Sequence, residues 1–334
     1  MREQQSFSYS QSDSERFFVY TRVLIPLDGS TTALQVLPYA KVVAKSTGAS
    51  IVLLQALNEY PRELITTVSH SVMTPKTFPP PAEAWIQLKA NALAAVQAKL
   101  EMAAADLKSE GFQVTTLTVE EDAADAIVTE AEKDPGTLIA ISTHGRSGIG
   151  RWMMGSVTDK VVRQAMNPVL VVRARPGEVT SSAPQLKRIV LPLDGSERSG
   201  IAMDHAVEMA KALNLGVTLV RSISPMAYGD TFADYVPTMY ENLADEIETD
   251  VQAFLAHEAQ QLRAAGIADV AVKAVDGYAA SAILDEVGDE GDSMVVMATH
   301  GRAGIGRWVL GSVSDRVIRH STGPVLVVRP GTET

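Results

Sequence analysis

The sequence predicts two tandem α/β domains, each a doubly wound parallel sheet with helices on both faces. Three observations lead to this prediction. Residues 143–173 and 299–329 are identical at 21 of 31 aligned positions, which indicates duplication of one unit. Apolar runs such as IVLL, LIAI and VLVV alternate with helical segments, as is typical of parallel strands buried on both faces. Finally, a length of 334 residues accommodates two domains of ordinary size.

The elements of the first repeat follow from its apolar runs and its turn residues. Gly48 and Gly111 are expected to end helices, because glycine adopts the backbone of a helix C-terminus without strain. Pro38 is expected to kink the first helix or to mark its first turn. In chain order, the predicted elements are a strand at 22–28, a helix at 31–47, a strand at 50–57, a helix at 83–110, a strand at 112–119, a helix at 123–133, a strand at 137–142, a helix opened by Gly155 and Ser156, and a strand at 168–172.

The same order of elements restarts at Arg188, where RIVLPLDGS repeats the earlier RVLIPLDGS. Asp194 follows Asp28 by 166 residues, whereas the later motifs are 156 residues apart, so the second copy is ten residues shorter. The Pro-rich loop at 58–82, unusually long for a compact domain, is the obvious place for this difference. The expected limits are a polar segment at 1–20, a first domain at 21–175, a linker at 176–186 and a second domain at 187–331.

Composition excludes several classes of protein. A net charge of −11 disfavours general nucleic-acid binding, which needs clustered cations. No apolar stretch reaches 18 residues without charges, so no membrane span is expected. The first 20 residues lack the apolar core of a signal peptide. Together with the absence of cysteine, these features predict a cytoplasmic protein.

The candidate ligand site lies where the predicted strands end. In doubly wound sheets, ligands bind beyond the carboxyl ends of the strands, at the point where the strand order reverses. Asp28 and the Gly-rich segment that begins at Thr143 both follow strands on that edge. The free N–H groups of the helix opened by Gly155 can receive an anion. The pattern therefore predicts one small-molecule site per repeat.

Signatures of a fast enzyme are missing from the sequence. It contains no G-x-x-x-x-G-K-[ST] loop, no G-x-S-x-G elbow and no H-E-x-x-H helix. No base positioned to activate water on a phosphate is recognisable. This pattern favours a binding module over an enzyme and predicts no metal site.

Both repeats resemble the universal stress protein family along almost their full length. The family signature is Gly, two residues, Gly, nine residues, Gly, then Ser or Thr. Gly145 and Gly155 fit the last two glycines, as do Gly301 and Gly311 in the second copy. The first glycine is replaced by Ser142 in one repeat and by Ala298 in the other. The chain therefore resembles a tandem member of the family.

The resemblance implies a five-stranded parallel sheet in the order 3-2-1-4-5 and ATP, with or without Mg²⁺, across the ends of the first and fourth strands. It assigns the ribose or adenine side to the strand-ending aspartates, the adenine to backbone at the end of the second strand, and the phosphates to the Gly-rich loop and the helix that follows it. The implied site residues are Asp28, Ala56, Ser142, His144, Gly145, Gly155, Ser156 and Val157 in the first repeat, and Asp194, Ser222, Ala298, His300, Gly301, Gly311, Ser312 and Val313 in the second.

Structural roles compete with this assignment. The segments 156–159 and 312–315 also read as capping boxes in which Asp replaces the usual Glu. Asp28 and Asp194 could cap the helices that follow them. A loop role for His144 and His300 competes equally with a ligand role. Three functions therefore stay open: an ATP-binding regulatory protein, a dimerising interaction module without nucleotide, and a slow ATPase.

Two further expectations concern the relation between the repeats. The last strands, 168–172 and 324–328, are apolar and lie at the sheet edge in the implied order, so they are expected to pair as an intramolecular pseudo-dimer. A homodimer in addition is left open. The second repeat is expected to be the better nucleotide site, because Gly277 replaces one of three carboxylates, Glu120, Glu121 and Asp122, in the turn after the third strand. A hydrogen bond donated by Ser142 would offset this difference.

Overall fold

The repeats form one continuous ten-stranded sheet in the computed structural model, which describes residues 20–57, 82–143, 154–174, 184–223, 237–299 and 310–329. The strand order is β3-β2-β1-β4-β5-β10-β9-β6-β7-β8. Each half therefore has the order 3-2-1-4-5 that the resemblance implies, and the fold class is confirmed. The polar segment, the 58–82 loop and the linker lie almost entirely outside the described residues.

The first repeat has the predicted alternation of elements. Its second helix begins with Pro38 in the first turn, after a break at Gln35 and Val36, and it ends at Gly48. Because proline lacks an N–H and fixes its own φ, it fits the start of a helix rather than its interior. The elements are β1 Arg22–Pro26, α1 Thr31–Leu34, α2 Leu37–Thr47, β2 Ser50–Ala56, α3 Ala82–Ser109, β3 Val114–Val119, α4 Ala123–Ala131, β4 Thr137–Thr143, α5 Ser156–Gln164 and β5 Val169–Arg173.

The second repeat copies this order with one change near its start. A single helix, α6, replaces the α1–α2 pair, because no proline interrupts it. In the part of the chain that the structure describes, no helix is long and apolar enough to cross a membrane. The elements are β6 Arg188–Pro192, α6 Glu197–Leu213, β7 Gly216–Ile223, α7 Pro237–Ala264, β8 Val270–Asp276, α8 Ala279–Val287, β9 Ser293–Ala298, α9 Ser312–His320 and β10 Val325–Val328.

The two halves join through their last strands, as predicted. Strands β5 and β10 are antiparallel, and Leu170 lies opposite Leu326. These two leucines occupy equivalent positions, 156 residues apart, so the axis of a pseudo-twofold passes between them. The pairing closes both apolar edges inside one chain and confirms the intramolecular pseudo-dimer.

Two layers of helices cover the joined sheet. One apolar core lies between a face of the sheet and helices α2, α3, α6 and α7, and it includes buried residues of both repeats. A second core lies on the other face, against α4, α5, α8 and α9. Central strands such as β4 are buried along their whole length, which explains their continuous apolar sequence.

Charged side chains on the α5 and α9 face of the sheet are also related by the pseudo-twofold. Arg163 and Arg319 each bond the aspartate four residues earlier, with N–O distances from 2.8 to 3.1 Å. Arg319 also reaches Asp159 of the other repeat at 3.8 Å. Arg173 donates to the carbonyl oxygens of His320 and Ser321 at the end of α9. This cluster of charged side chains connects α5 to α9.

A buried polar pair crosses the repeats on the opposite face. The Tyr20 hydroxyl lies 2.7 Å from His205 Nδ1, and the two rings stack with their centroids 5.9 Å apart. Burial lowers the pKa of His205 to about 4. Burial, with a smaller contribution from the charge of Glu208, raises the pKa of Tyr20. Both groups are therefore neutral, and the hydrogen bond between them connects the start of the first domain to α6.

Candidate functional site

The expected site lies on the edge where neighbouring parallel strands end. Strand β1 pairs in parallel with β2 on one side and with β4 on the other. Asp28 follows β1, Ala56 is the last residue of β2, and Ser142 is the penultimate residue of β4. The sheet thus brings these three predicted residues to one edge, at the point where the strand order reverses. Asp194, Ser222 and Ala298 occupy the same edge in the second repeat.

The aspartate after the first strand is held by its own turn. Asp28 Oδ1 accepts hydrogen bonds from the N–H of Ser30 at 2.9 Å and from its hydroxyl at 2.6 Å. The N-cap of α1 is Ser30, whose Oγ accepts the N–H of Ala33. Asp194 makes the same two bonds to Ser196, which is the N-cap of α6. The alternative in which these aspartates are the helix caps is therefore wrong, because serine occupies that position.

The helices opened by Gly155 and Gly311 have no side-chain cap. Both glycines are N-caps with extended backbone, at φ −60° and −61°, and a glycine at this position supplies no side-chain hydrogen bond to its helix. The predicted capping boxes are wrong for two reasons. Ser156 and Ser312 lie inside the first turn rather than at the cap, and the aspartates expected to complete the boxes bond Arg163 and Arg319 instead.

The first N–H groups of these helices precede the first helical hydrogen bond. In α5 that bond runs from the N–H of Asp159 to the carbonyl of Gly155, at 2.9 Å, and in α9 it runs from Asp315 to Gly311. The N–H groups before it have no acceptor within the helix. They lie at the positive end of the helix dipole, which attracts anions. These donors belong to Ser156, Val157 and Thr158 in α5 and to Ser312, Val313 and Ser314 in α9.

The start of α9 lies close against the end of β9. The N–H of Gly311 donates to the carbonyl of Thr299 at 3.0 Å. A Cβ on Gly311 would lie 3.1 Å from that oxygen, which explains why glycine occupies the position. The buried Ser314 hydroxyl donates to the carbonyl of Ala298, and Thr158 makes the equivalent bond to Ser142. The Gly311 N–H is therefore already used within the protein. An anion at this helix start would be contacted mainly by the N–H groups of Ser312 and Val313.

Ser142 does not offer the hydrogen bond expected of it. Its side chain is buried, and its hydroxyl donates to the carbonyl of Thr32 in α1 at 3.0 Å. A hydroxyl has one proton, so this bond removes the donor that would have offset the advantage of the second repeat. Ala298, at the equivalent position, has no such group. The replacement of the family glycine by serine thus ties β4 to α1.

The turn after the third strand differs between the repeats. In the first repeat, Asp122 caps α4 through the N–H groups of Ala124 and Asp125. Lys160 of α5 lies 3.0 Å from Asp122 and 2.8 Å from Asp125. The Lys160 ammonium, with the two N–H groups, lowers the pKa of Asp122. The acidic turn is therefore partly neutralised, which the sequence prediction did not include.

In the second repeat the same turn contains Gly277 and Tyr278. Gly277 has φ +112°, and its N–H donates to the carbonyl of Ile223 at 3.1 Å. The Ser222 hydroxyl donates to the carbonyl of Gly277. Tyr278 is the N-cap of α8, and its side chain is 71% exposed. The ends of β7 and β8 are thus joined by two hydrogen bonds beside an exposed aromatic ring.

Four of the predicted site residues, His144, Gly145, His300 and Gly301, lie outside the described residues. The described ranges contain no group of three or more His, Cys, Asp or Glu side chains arranged to hold a metal ion. The remaining predicted residues all lie on the carboxyl edge of their own repeat.

Three contacts at this edge were missed from the sequence. Lys160 pairs with a carboxylate 38 residues away, and the main-chain carbonyl of Thr32 accepts from a serine 110 residues away, so spacing along the chain could not reveal either contact. Ser314 could have been found, because a hydroxyl recurs at the equivalent position, Thr158, in the other repeat. Duplication is therefore a usable signal only where both copies keep the same chemistry.

The geometry defines a class of protein: a doubly wound α/β chain in which a pseudo-twofold relates the carboxyl edges of the two repeats. The model of the universal stress protein family matches residues 20–173 and 185–329, and the chain belongs to that family with two domains in tandem. A universal stress protein of Mycolicibacterium smegmatis is 30% identical over 229 residues, which are 67% of this chain and 71% of that protein.

Two further likenesses extend over more of the chain. A universal stress protein of Mycobacterium tuberculosis is 26% identical over 279 residues, which are 82% of this chain and 89% of that protein. The crystal structure of a universal stress protein from Archaeoglobus fulgidus has a TM-score of 0.64 at 19% identity, covering 93% of this chain and 99% of that one. The likeness to the Archaeoglobus fulgidus structure shows that the two proteins have the same fold.

Proposed function

We propose that this universal stress protein binds an adenine nucleotide, ATP with or without Mg²⁺, at the carboxyl edge of each repeat and acts as a nucleotide-responsive regulatory protein in the cytoplasm. The single observation that carries the proposal is the uncapped start of α5 and α9. Two helix N-termini without side-chain caps point their first N–H groups toward the edge that also holds Asp28 and Asp194. Such helix ends bind phosphate groups readily.

The proposal gives each predicted residue a role. The strand-ending aspartates contact the ribose or adenine side, the backbone at the end of the second strand contacts adenine, and the Gly-rich loop with the helix start surrounds the phosphates. The roles rest on Asp28, Ala56, Ser142, His144, Gly145, Gly155, Ser156 and Val157, and on Asp194, Ser222, Ala298, His300, Gly301, Gly311, Ser312 and Val313. In this proposal, one site belongs to a first domain at 21–175 and the other to a second domain at 187–331.

The geometry of the aspartates supports the ribose role. Asp28 is exposed, yet two hydrogen bonds from Ser30 orient its carboxylate. An oriented acceptor loses little side-chain entropy when it accepts hydrogen bonds from a sugar hydroxyl. The proposal assigns no catalytic residue, so any turnover of ATP is expected to be slow.

A second candidate function is an interaction module that binds no nucleotide. One observation favours it: the family glycine is replaced in both repeats, and the Ser142 side chain is inserted between β4 and α1. The pseudo-twofold pairing of β5 with β10 would serve such a module equally well.

The test uses the full-length chain and begins with nucleotide extracted from freshly purified protein and separated by chromatography. Calorimetric titration with ATP and Mg²⁺ then compares the wild type with Asp28→Ala/Asp194→Ala. The double variant is expected to bind ATP about 1–3 kcal/mol more weakly per site, the usual cost of losing a charge-assisted hydrogen bond. Asp285→Asn, which removes an exposed carboxylate of α8 away from the edge, is the control and should leave affinity unchanged.

One result would count against nucleotide binding, and another would count against the role of the aspartates. If the wild type carries no nucleotide and takes up no ATP, the interaction module is the better description. If the wild type binds ATP but the double variant binds it equally well, the aspartates serve only the turns that they share with Ser30 and Ser196.

A further inference from the structure

The ligand edge of the second repeat carries an aromatic side chain that the assigned site does not use. Tyr278 follows β8 and begins α8, and 71% of its surface is exposed. A single exposed aromatic side chain is common on a protein surface, so the informative observation is the position of this one at the carboxyl edge of the sheet. Ser222, on the neighbouring strand β7, is the residue whose backbone is assigned to adenine.

The backbone that carries Tyr278 is fixed in place. The Gly277 N–H donates to the carbonyl of Ile223, and the Gly277 carbonyl accepts from the Ser222 hydroxyl. Gly277 makes this turn at φ +112°, which other residues rarely adopt. The carbonyl of Tyr278 accepts the N–H of Ala282 as part of α8. A fixed backbone reduces the entropy that the ring loses when it stacks on a ligand.

The first repeat has an ion pair, rather than an aromatic ring, at the equivalent position. Asp122 stands where Tyr278 stands, and Lys160 of α5 neutralises it through an ion pair. In the second repeat, Arg316 replaces Lys160, is exposed and forms no ion pair with any described residue. Among the described residues, the salt bridge across this edge is therefore seen in the first repeat only. The other repeat presents an aromatic ring and a guanidinium to solvent at the same place.

We propose that Tyr278 is the base-stacking residue of the second repeat and makes that site selective for purine nucleotides. This inference rests on the nucleotide function proposed above and adds a specificity determinant to it. Stacking of a base on an aromatic side chain contributes free energy in proportion to ring overlap, and a purine offers a larger face than a pyrimidine. The first repeat lacks the ring, so its site discriminates less between bases.

The test measures three ligands on the full-length chain in an Asp28→Ala background, which weakens the first site. ATP, CTP and inorganic tripolyphosphate are titrated into the background protein and into Tyr278→Ala and Tyr278→Phe versions of it. We expect Tyr278→Ala to bind ATP about ten-fold more weakly, which corresponds to about 1.4 kcal/mol. The loss for CTP should be smaller, and tripolyphosphate, which has no base, should bind unchanged. Tyr278→Phe keeps the ring and should retain the affinity for ATP.

The outcomes separate this inference from the function on which it rests. If the background protein binds no ATP, both are overturned. If it binds ATP and Tyr278→Ala binds equally well, only the stacking role fails. An equal loss for tripolyphosphate would mean that the substitution disturbs the edge rather than removing a stacking contact. Thermal unfolding of Tyr278→Ala, expected to match the background because the side chain is exposed, checks the fold.

Photolabelling gives an independent measurement. Full-length protein is irradiated with 8-azido-ATP, digested and mapped by mass spectrometry. The proposal expects label on the peptide that contains Tyr278, reduced by competing ATP and less by competing CTP. Label confined to other peptides would overturn it.

Discussion

The amino-end edges of the two repeats are alike, whereas their carboxyl-end edges differ. At the amino end, Arg22 pairs with Glu130 at 3.0 Å, and Arg188 pairs with Glu286 at 3.7 Å, so both copies keep one ion pair between the first strand and the same helix. At the carboxyl end, the positions of Asp122 and Lys160 in the first copy are occupied by Tyr278 and Arg316 in the second. Neither substitution at the carboxyl end affects a buried residue.

This difference separates what the fold requires from what a ligand requires. The helix starts at Gly155 and Gly311 have the same backbone angles within 1°, so the proposed phosphate contacts are shared. The residues beside the proposed base differ in charge and in shape. Because duplication gave both copies the same starting sequence, a change of both charge and shape at this exposed edge is compatible with a change in binding that leaves the fold intact.

The largest expected effect tests whether the repeats are energetically equivalent at their junction. Leu170 and Leu326 are both fully buried and lie opposite each other across the pseudo-twofold. Leu170→Ala and Leu326→Ala should each lower the free energy of unfolding by about 2–5 kcal/mol, because each leaves a cavity at the same interface. Chemical denaturation measures both values, with exposed Leu34→Ala as the control. Losses that differ by more than about 1 kcal/mol would contradict equivalence.

A pH dependence distinguishes the repeats on the opposite face. His205 of the second repeat occupies the position of Tyr39 in the first, and burial lowers the pKa of His205 to about 4. The unfolded chain protonates a histidine near pH 6.5, so it binds the proton more tightly than the folded protein does. Stability is therefore complete above pH 6.5 and falls as the pH drops toward 4, by about 3 kcal/mol in total.

Denaturant unfolding between pH 8 and pH 4 measures this loss. His205→Gln removes the titrating group, so its stability should depend less on pH over that range, although the variant also starts lower because the bond to Tyr20 changes. His320→Gln, at an exposed site, is the control and should keep the wild-type slope. A slope unchanged in His205→Gln would assign the acid sensitivity to other groups.

The next effect concerns nucleotide affinity. We expect the second site to bind ATP more tightly by about 1 kcal/mol, since Glu120 and Glu121 repel phosphate near the first site even after solvent screening. Lys160 reduces this repulsion by pairing with Asp122. Ser142 does not add a compensating hydrogen bond to ATP at the first site, because its hydroxyl already donates to the carbonyl of Thr32.

Single-site variants of the full-length chain measure the margin. Asp194→Ala should weaken the tighter of the two sites by about 1–3 kcal/mol, and Asp28→Ala should weaken the other site by a similar amount. Glu120→Gln/Glu121→Gln should bring the two affinities closer together. A first site that binds as tightly as the second would show that the acidic turn points away from the ligand.

The fold was largely predictable from the sequence because its signals are local and repeated. In the first repeat the predicted strands match β1 to β5 within two residues at each end, and the order 3-2-1-4-5 followed from the resemblance. Pairing of β5 with β10 was also predictable, since an apolar edge strand rarely stays exposed. The same duplication that revealed the fold also identified the aspartates and the glycine N-caps of the site.

Side-chain contacts were the part that the sequence could not supply. The motif from Ser156 to Asp159 reads as a capping box, but Asp159 bonds Arg163, whose guanidinium offers two donors in place of one N–H. Lys160 and Asp122 meet only because α4 and α5 lie side by side. Such pairs depend on packing between elements, and their spacing along the chain carries no signal.

The smallest expected effect tests the charged cluster on the pseudo-twofold. Asp159 contacts two arginines, Arg163 at 2.8 Å and Arg319 at 3.8 Å. Asp315 contacts Arg319 at 2.8 Å. All four side chains are about one third exposed, so solvent screens these pairs and each contributes little. Asp159→Asn should cost about 1 kcal/mol and Asp315→Asn about 0.5 kcal/mol, because among the described residues only Asp159 has a second arginine within 4 Å.

Salt separates this charge effect from a packing effect. At 1 M salt the Debye length falls to about 3 Å, so the difference between the two variants should largely disappear. A double-mutant cycle with Arg319→Gln isolates the contact that crosses the repeats. If Asp159→Asn and Asp315→Asn cost the same at low salt, the 3.8 Å contact contributes nothing measurable, and the junction depends on the apolar strands β5 and β10 alone.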